Sequence, residues 1–209
     1  MGKLLITSGG YIDGQRGEKL DKKIEKLSKD KKVLIITNAT ATGSNVKGVS
    51  VLQTNFGKIA KKVEVLHLTE ENVEQIHDYD VLYFTGGDTA PLIEMATEKV
   101  KSELVEYLLG NTLVVGESAG SIIFGEDLKW YYDVKKGTKP KYDVELPTYR
   151  GLGLIDYTIY PHWNKASKEQ KQKVKDYAKE HKVKIKPLKD GEFYEHTEKE
   201  IINSNNILC

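Results

Sequence analysis

Short apolar runs alternating with charged amphipathic stretches constrain this chain more than any other feature. "KLLIT" (3–7), "KVLIIT" (32–37), "KVEVLHL" (62–68), "DVLYFTG" (80–86) and "TLVVGES" (112–118) are of strand length and rich in β-branched residues. Helix-like patterns fill the gaps, over about 17–29, 46–60, 70–77 and 90–109. Strands alternating with helices predict βαβ units and a mostly parallel sheet. The runs are continuously apolar rather than alternating, so helices are expected on both faces of that sheet.

Beyond Ser121 the texture changes. Residues 125–150, "GEDLKWYYDVKKGTKPKYDVELPTYR", are aromatic and lysine-rich with weak periodicity. A functional or mobile loop is expected there, bordering a pocket and acting as a lid. "GLGLIDYTIYPHWN" predicts another strand, ending at Pro161-His162, and 165–181 a charged helix. The tail segments "VKIKPL", "GEFYEH" and "EIINS" predict a small antiparallel edge. No repeat or low-complexity linker interrupts the chain, so residues 1–209 are read as a single domain, long enough for a full core.

Charge narrows the range of partners. Lys+Arg number 32 against 31 Asp+Glu, which argues against a nucleic-acid footprint and an anionic-membrane binder. The basic side is nearly all lysine, with arginine only at Arg16 and Arg150. The lone cysteine, Cys209, permits no intramolecular disulfide and is poorly placed as a nucleophile. The N-terminal "LLIT" is too short for the apolar core of a secretion signal, and no run approaches the roughly 18 apolar residues of a membrane span. A soluble cytoplasmic protein is expected.

"LVVGESAGSII" (113–123) carries Gly116-Glu117-Ser118-Ala119-Gly120, a Gly-x-Ser-x-Gly nucleophile elbow between an apolar strand and an apolar helix start. Such a turn holds its serine in a sparsely populated backbone conformation, so residues two positions away must be small. The Ala119 N–H and the helix N-terminus then face the same space as the serine oxygen and can stabilise an oxyanion. The plainer alternative is a tight turn with an inert serine. "YFTGGDTAPL" (83–92) is the second unusual segment. Gly86 and Gly87 let backbone approach a ligand, and Asp88 or Thr89 can cap the helix that follows. In sites of this kind the second oxyanion donor comes from such a loop, although a plain strand–helix turn would read the same way.

A serine needs a base. Of His67, His77, His162, His181 and His196, only His162 follows a strand directly, in a loop position. Ligands collect at such carboxyl ends in open α/β sheets. Glu126, Asp127, Asp133, Asp143 and Asp156 are candidates for the orienting carboxylate, and position alone does not choose among them.

With these segments the chain resembles the dipeptidase E / cyanophycinase family of serine peptidases. "TGGDT" matches the family's Gly-Gly-Asn/Asp-Thr loop, "GESAGS" its nucleophile elbow and "YPHWN" its Pro-His-aromatic segment, in the family's order and spacing. The resemblance implies a class I glutamine amidotransferase-like, flavodoxin-like fold of three layers that hydrolyses peptide bonds next to aspartate. It implies Ser118 as nucleophile, His162 as general base, and the Gly87 and Ala119 N–H groups as oxyanion hole. Gly86, Asp88, Thr89 and Glu117 are expected around the substrate, with Glu117, which matches the family glutamate, either structural or shaping the pocket. The acidic member, fifteen residues after the serine in the dipeptidase branch, falls on Asp133. One departure concerns specificity. The family's arginine for the substrate aspartate is missing from "NKASKEQKQKVK", where Lys165 or Lys168 could substitute only as a point charge.

The expectation is therefore acyl transfer to water from small peptides, with no metal and no organic cofactor, by a monomer or homodimer. Two rivals share the motifs: an esterase or amidase using the same serine, and an inactive member of the fold that binds a small acidic ligand or a partner protein.

Overall fold

A computed structural model describes residues 2–11, 17–41, 43, 45–136 and 148–204. Arg16, Asp143, Cys209 and the central part of the 125–150 segment lie outside the described residues. Six strands form the main sheet: β1 (Lys3–Thr7), β2 (Lys32–Ile36), β3 (Lys62–Leu66), β4 (Val81–Phe84), β5 (Leu113–Glu117) and β8 (Phe193–Thr197). Their order is β3-β2-β4-β5-β1-β8. The first five run parallel and β8 pairs antiparallel with β1 at the edge.

Side-chain alternation splits the strands between two cores. Leu5, Val33, Ile35, Tyr83 and Val115 face one side, where α1 (Glu18–Ser28) packs with Leu20 and Ile24 and α2 (Val46–Gly57) with Leu52 and Phe56. Leu4, Ile6, Leu34, Ile36, Phe84 and Val114 face the other side. There they meet α3 (Ala90–Met95), α4 (Glu98–Leu109) and α5 (Ala119–Ile122). Both faces of the central strands are thus buried, which is why their sequences are apolar without interruption. The three-layer α/β expectation is met.

Several elements differ from the sequence reading. The helix expected over 90–109 breaks at Ala96-Thr97, where extended Thr97 accepts the Val100 N–H and caps a new helix. The 70–77 pattern is only a 3₁₀ turn, Val73–Asp78. The tail supplies the expected antiparallel edge through one of its three segments, β8. β7 (Ile185–Pro187) pairs parallel with β6 (Thr158–Tyr160) in a separate two-stranded sheet, only β8 joins the main sheet, and "EIINS" lies in α7 (Glu198–Ser204). Helix α6 (Lys168–His181) begins with a capping box between Ser167 and Gln170.

The start of the 125–150 segment is anchored in the core. Trp130 is fully buried against Tyr160, Val174 and Tyr177 in a third cluster beneath α6, and its indole N–H donates to Thr158 Oγ1 at 3.1 Å. Tyr132 is buried in the second core layer. Truncation of a core aromatic of this size costs about 3–5 kcal/mol. Trp130→Ala is expected to lower stability by about that amount in urea denaturation. A loss below about 1 kcal/mol would show that the anchor is dispensable.

Candidate active site

The site is assembled where β1, β4 and β5 end side by side. Thr7 lies opposite Glu117 and Phe84 opposite Gly116, so the turns following the three strands share one rim. Ser118 is the first residue after β5 and has φ 49° and ψ −107°. A non-glycine residue in such a conformation costs on the order of 1–3 kcal/mol, so surrounding contacts must hold it there. Its N–H donates to Thr7 O at 3.0 Å, and its C=O accepts from Ser121 N–H at 2.9 Å and Ile122 N–H at 3.0 Å. Ser121 Oγ accepts the Thr7 N–H at 2.9 Å and lies 2.5 Å from Gly116 O, while Thr7 Oγ1 donates toward Gly116 O at 2.7 Å. These hydroxyls pin the end of β5 to the end of β1.

The two glycines of the motif answer to close backbone approach. A Cβ on Gly120 would sit 2.4 Å from Phe84 O, and one on Gly116 would sit 2.5 Å from Gly120 O. Both distances are below any real Cβ contact, so only glycine lets the turn close against β4.

His162 follows β6 with φ 59° and ψ 34°, a left-handed conformation that turns its ring back toward the elbow. Its Nε2 lies 3.0 Å from Ser118 Oγ. Its Nδ1 lies 2.5 Å from Asp190 Oδ1. Asp190 stands in the turn between β7 and β8, a position not among the carboxylates considered from the sequence. Its backbone N–H donates to Asn164 Oδ1 at 2.9 Å, and its Oδ2 takes Lys165 Nζ at 2.7 Å. Ser8 Oγ donates to Oδ1 at 3.1 Å and accepts the His162 N–H at 2.7 Å. Burial alone would raise the Asp190 carboxyl. Hydrogen bonds from Lys165, His162 and Ser8 outweigh it and hold the group far below the usual carboxylate range. An ionised carboxylate only accepts, so the shared proton belongs on Nδ1, which leaves the Nε2 lone pair directed at Ser118.

Asp133, which the resemblance pointed to, is elsewhere. It pairs with Lys129 at 2.5 Å and neighbours Tyr177, beside the cluster that buries Trp130 under α6. Asp156 pairs with Lys184, and Asp127 accepts the Lys129 N–H. Glu126 is exposed. The other histidines are also distributed over the molecule. His77 pairs with Glu103, His181 stacks on Tyr177, and His196 accepts the Tyr157 hydroxyl on β8, where burial pushes its pKa down. His67 lies on the rim of a cavity of about 640 Å³ with Glu70, Glu71 and Glu94.

The Gly86–Thr89 loop is braced from several sides. Gly87 has φ 150°, and a Cβ there would lie 2.3 Å from Ala39 O. The Asp88 N–H donates to Ala39 O at 2.8 Å, Asn45 Nδ2 to Gly86 O at 3.1 Å, and Thr89 Oγ1 bonds the Tyr132 hydroxyl at 2.8 Å. Asp88 Oδ1 accepts the Ala90 N–H at 3.2 Å and starts α3. Among the described residues, no hydrogen bond is found from the Gly87 or the Ala119 N–H. Asp88, Thr89 and Glu117, expected around the substrate, are buried and bonded within the chain. Glu117 accepts the Tyr83 hydroxyl at 3.1 Å, and its carboxylate packs so closely on Gly10 that a Cβ there would meet it at 2.6 Å. Among the described residues, no group of three His, Cys, Asp or Glu side chains could hold a metal ion, and no helix is long and apolar enough to cross a membrane.

Comparison with known proteins places this geometry in context. The sequence model of Peptidase family S51 matches residues 4–203. An uncharacterized peptidase of Listeria monocytogenes is 32% identical over 67% of this chain and 69% of its own length. Peptidase E of Shewanella denitrificans is 27% identical over 68% of this chain and 58% of its own length. The crystal structure of a peptidase from an acI-B1 actinobacterium is similar with a TM-score of 0.67, covering 94% of this chain and 84% of that one. At 15% identity that likeness is one of fold.

The depressed Asp190 pKa links stability to pH. A carboxylate whose folded pKa lies below its unfolded value of about 3.9 stabilises the fold above that value and loses the contribution as pH falls through the folded pKa. Asp190→Asn is expected to be less stable than the wild type at pH 7 by about 2 kcal/mol, with the gap narrowing below about pH 4. Urea denaturation across a pH series checks this. A gap that stays constant down to about pH 2 would show that Asp190 is not held ionised by these donors.

Proposed function

The chain belongs to peptidase family S51, and from that premise we propose that it cleaves small peptides through an acyl-enzyme formed on Ser118. One observation carries this reading: an unbroken relay of Ser118 Oγ, His162 and Asp190, with contacts of 3.0 Å and 2.5 Å, at the carboxyl ends of parallel strands.

Ser118 Oγ attacks the peptide carbonyl carbon while His162 Nε2 takes its proton. Asp190 keeps the imidazole in the tautomer with Nδ1–H and stabilises the imidazolium that forms. The Gly87 and Ala119 N–H groups, with no acceptor found among the described residues, receive the developing oxyanion. His162 then returns the proton to the departing amine as the carbon–nitrogen bond breaks. Water, deprotonated by the same imidazole, attacks the acyl carbon and releases Ser118 with its hydrogen restored. The cytoplasm and a monomeric or homodimeric state fit this reading.

Specificity follows from the lysines. Lys165 is engaged with Asp190, and Lys168 opens α6 as an exposed residue, so neither offers a forked cation for an aspartyl side chain. We therefore propose a preference broader than peptides beginning with aspartate.

Fluorophosphonate labelling and turnover of a dipeptide panel test the assignment. Ser118→Ala is expected to abolish labelling and to cut kcat by at least about 1,000-fold, and Asp190→Asn by about 1,000- to 10,000-fold. Asp133→Asn is expected to stay within about twofold of the wild type, as an uninvolved surface pair would. Wild-type turnover by Ser118→Ala, or collapse of activity in Asp133→Asn with Asp190→Asn unaffected, would overturn it. On the same panel, aspartyl and alanyl dipeptides should differ in kcat/KM by less than about tenfold, a gap of about 1.4 kcal/mol. A larger preference for aspartate would locate a cation at the substrate.

A further inference from the structure

The turn "TSGG" (7–10) after β1 is used by none of the steps above, yet it reaches the relay directly. Ser8 is fully buried. Its oxygen accepts the His162 backbone N–H at 2.7 Å, and its hydroxyl donates to Asp190 Oδ1 at 3.1 Å. That same carboxylate oxygen receives the imidazole Nδ1–H at 2.5 Å. A hydroxyl has one hydrogen. With its acceptor side occupied by the amide, the hydrogen is directed to the carboxylate, so the orientation of the bond is fixed by the backbone of the base.

We infer that Ser8 is a positioning residue of the hydrolytic site, a buried hydroxyl that ties the backbone of the base to the carboxylate of the acid. The inference rests on the acyl-enzyme reading of Ser118, His162 and Asp190. Three observations carry it.

First, His162 occupies a left-handed conformation at φ 59°, which a bulky residue keeps only when its backbone is held. The Ser8 bond is made by its N–H. Second, base and acid come from turns 28 residues apart, after β6 and after β7, neither of which belongs to the main sheet. Ser8 directly follows β1, so it references both to the strand that also carries the elbow through Thr7. Third, the hydroxyl draws charge from Oδ1. Ser118 from the elbow and Asp190 from the β7–β8 turn bond the imidazole, Ser8 from the β1 turn bonds its backbone N–H and Asp190, and Lys165 takes the far carboxylate oxygen. Removing the Ser8 donor leaves more negative charge facing the ring, which favours the imidazolium and raises the pKa of the base.

The test uses full-length Ser8→Ala and Ser8→Cys, the latter keeping volume with only a weak donor. In both, kcat is expected to fall about 10- to 100-fold with KM changed less than about threefold, as for loss of a hydrogen bond to a charged group. The acidic limb of the kcat/KM profile should move to higher pH, and the far-downfield Nδ1–H proton resonance should shift or broaden. Ser8→Thr, which restores the hydroxyl, should recover the wild-type limb. A merely structural serine would lower the folded fraction without moving the limb. If Ser8→Ala does not fold, Ser8→Cys decides. A folded variant of either kind with a wild-type limb and kcat within about twofold overturns the inference. Ser118→Ala run alongside separates the two claims: if it retains activity the acyl-enzyme reading itself fails, and if it is inactive while the Ser8 variants match wild type only the positioning role fails.

Discussion

Everything at the site depends on how closely β4 and β5 approach at their carboxyl ends. With Gly120 against Phe84 O and Gly116 against Gly120 O, the chain turns through Ser118 within a single residue. A methyl at either glycine would push the turn outward, and Ser118 could relax to an ordinary extended conformation that points its hydroxyl away from His162. Close packing of backbone on backbone therefore comes before any chemistry. Strain at Ser118 is sustained by bonds that belong to the sheet rather than the substrate: Ser118 N–H to Thr7 O, and Ser121 Oγ to the Thr7 amide.

His162 and Asp190 obey a different logic. Both leave the two-stranded β6–β7 unit, a sheet separate from the main one that packs on it through α5 and the buried Ile159 and Leu188. Such a unit has no hydrogen-bonded register with β5 to align it. Alignment comes from side chains instead. Asn164 holds the Asp190 amide, Lys165 the outer carboxylate oxygen and Ser8 both partners at once. A carboxylate this enclosed would ordinarily be neutralised by burial, and three donors are what make the ionised form the stable one.

Much of this was legible in the sequence, for reasons that can be named. Uninterrupted apolar strands such as "KVLII" identify a sheet covered on both sides, because no polar residue is tolerated on either face. The elbow was legible because its geometry demands small residues at fixed offsets, and the histidine because it follows a strand directly. The acid was not. Asp190 lies in "PLKDGEF", a lysine-flanked turn whose composition is that of any hairpin, and the resemblance to the dipeptidase branch pointed to Asp133 instead. Orienting carboxylates are defined by proximity in space, and the chain reaches this one only after β7 has been laid beside β6. The tail divides for the same reason: "VKIKPL" and "GEFYEH" both have strand patterns, only the second forms the antiparallel edge, and which sheet each joins is decided by tertiary pairing.

The first turn of the 125–150 segment is held by its aromatics, with Trp130 filling the cluster under α6 and Tyr132 bonded to Thr89. That second contact matters for chemistry. Thr89 follows Gly87 by two residues, in the loop whose amide faces the reacting carbonyl in the proposed mechanism. A buried tyrosine on Thr89 and a backbone bond from Asp88 to Ala39 fix that loop from opposite sides. An oxyanion donor stabilises a transition state only if its dipole is in place before charge develops. In the proposed mechanism, the described aromatics of this segment serve the site through rigidity, by bracing the loop that carries the Gly87 N–H.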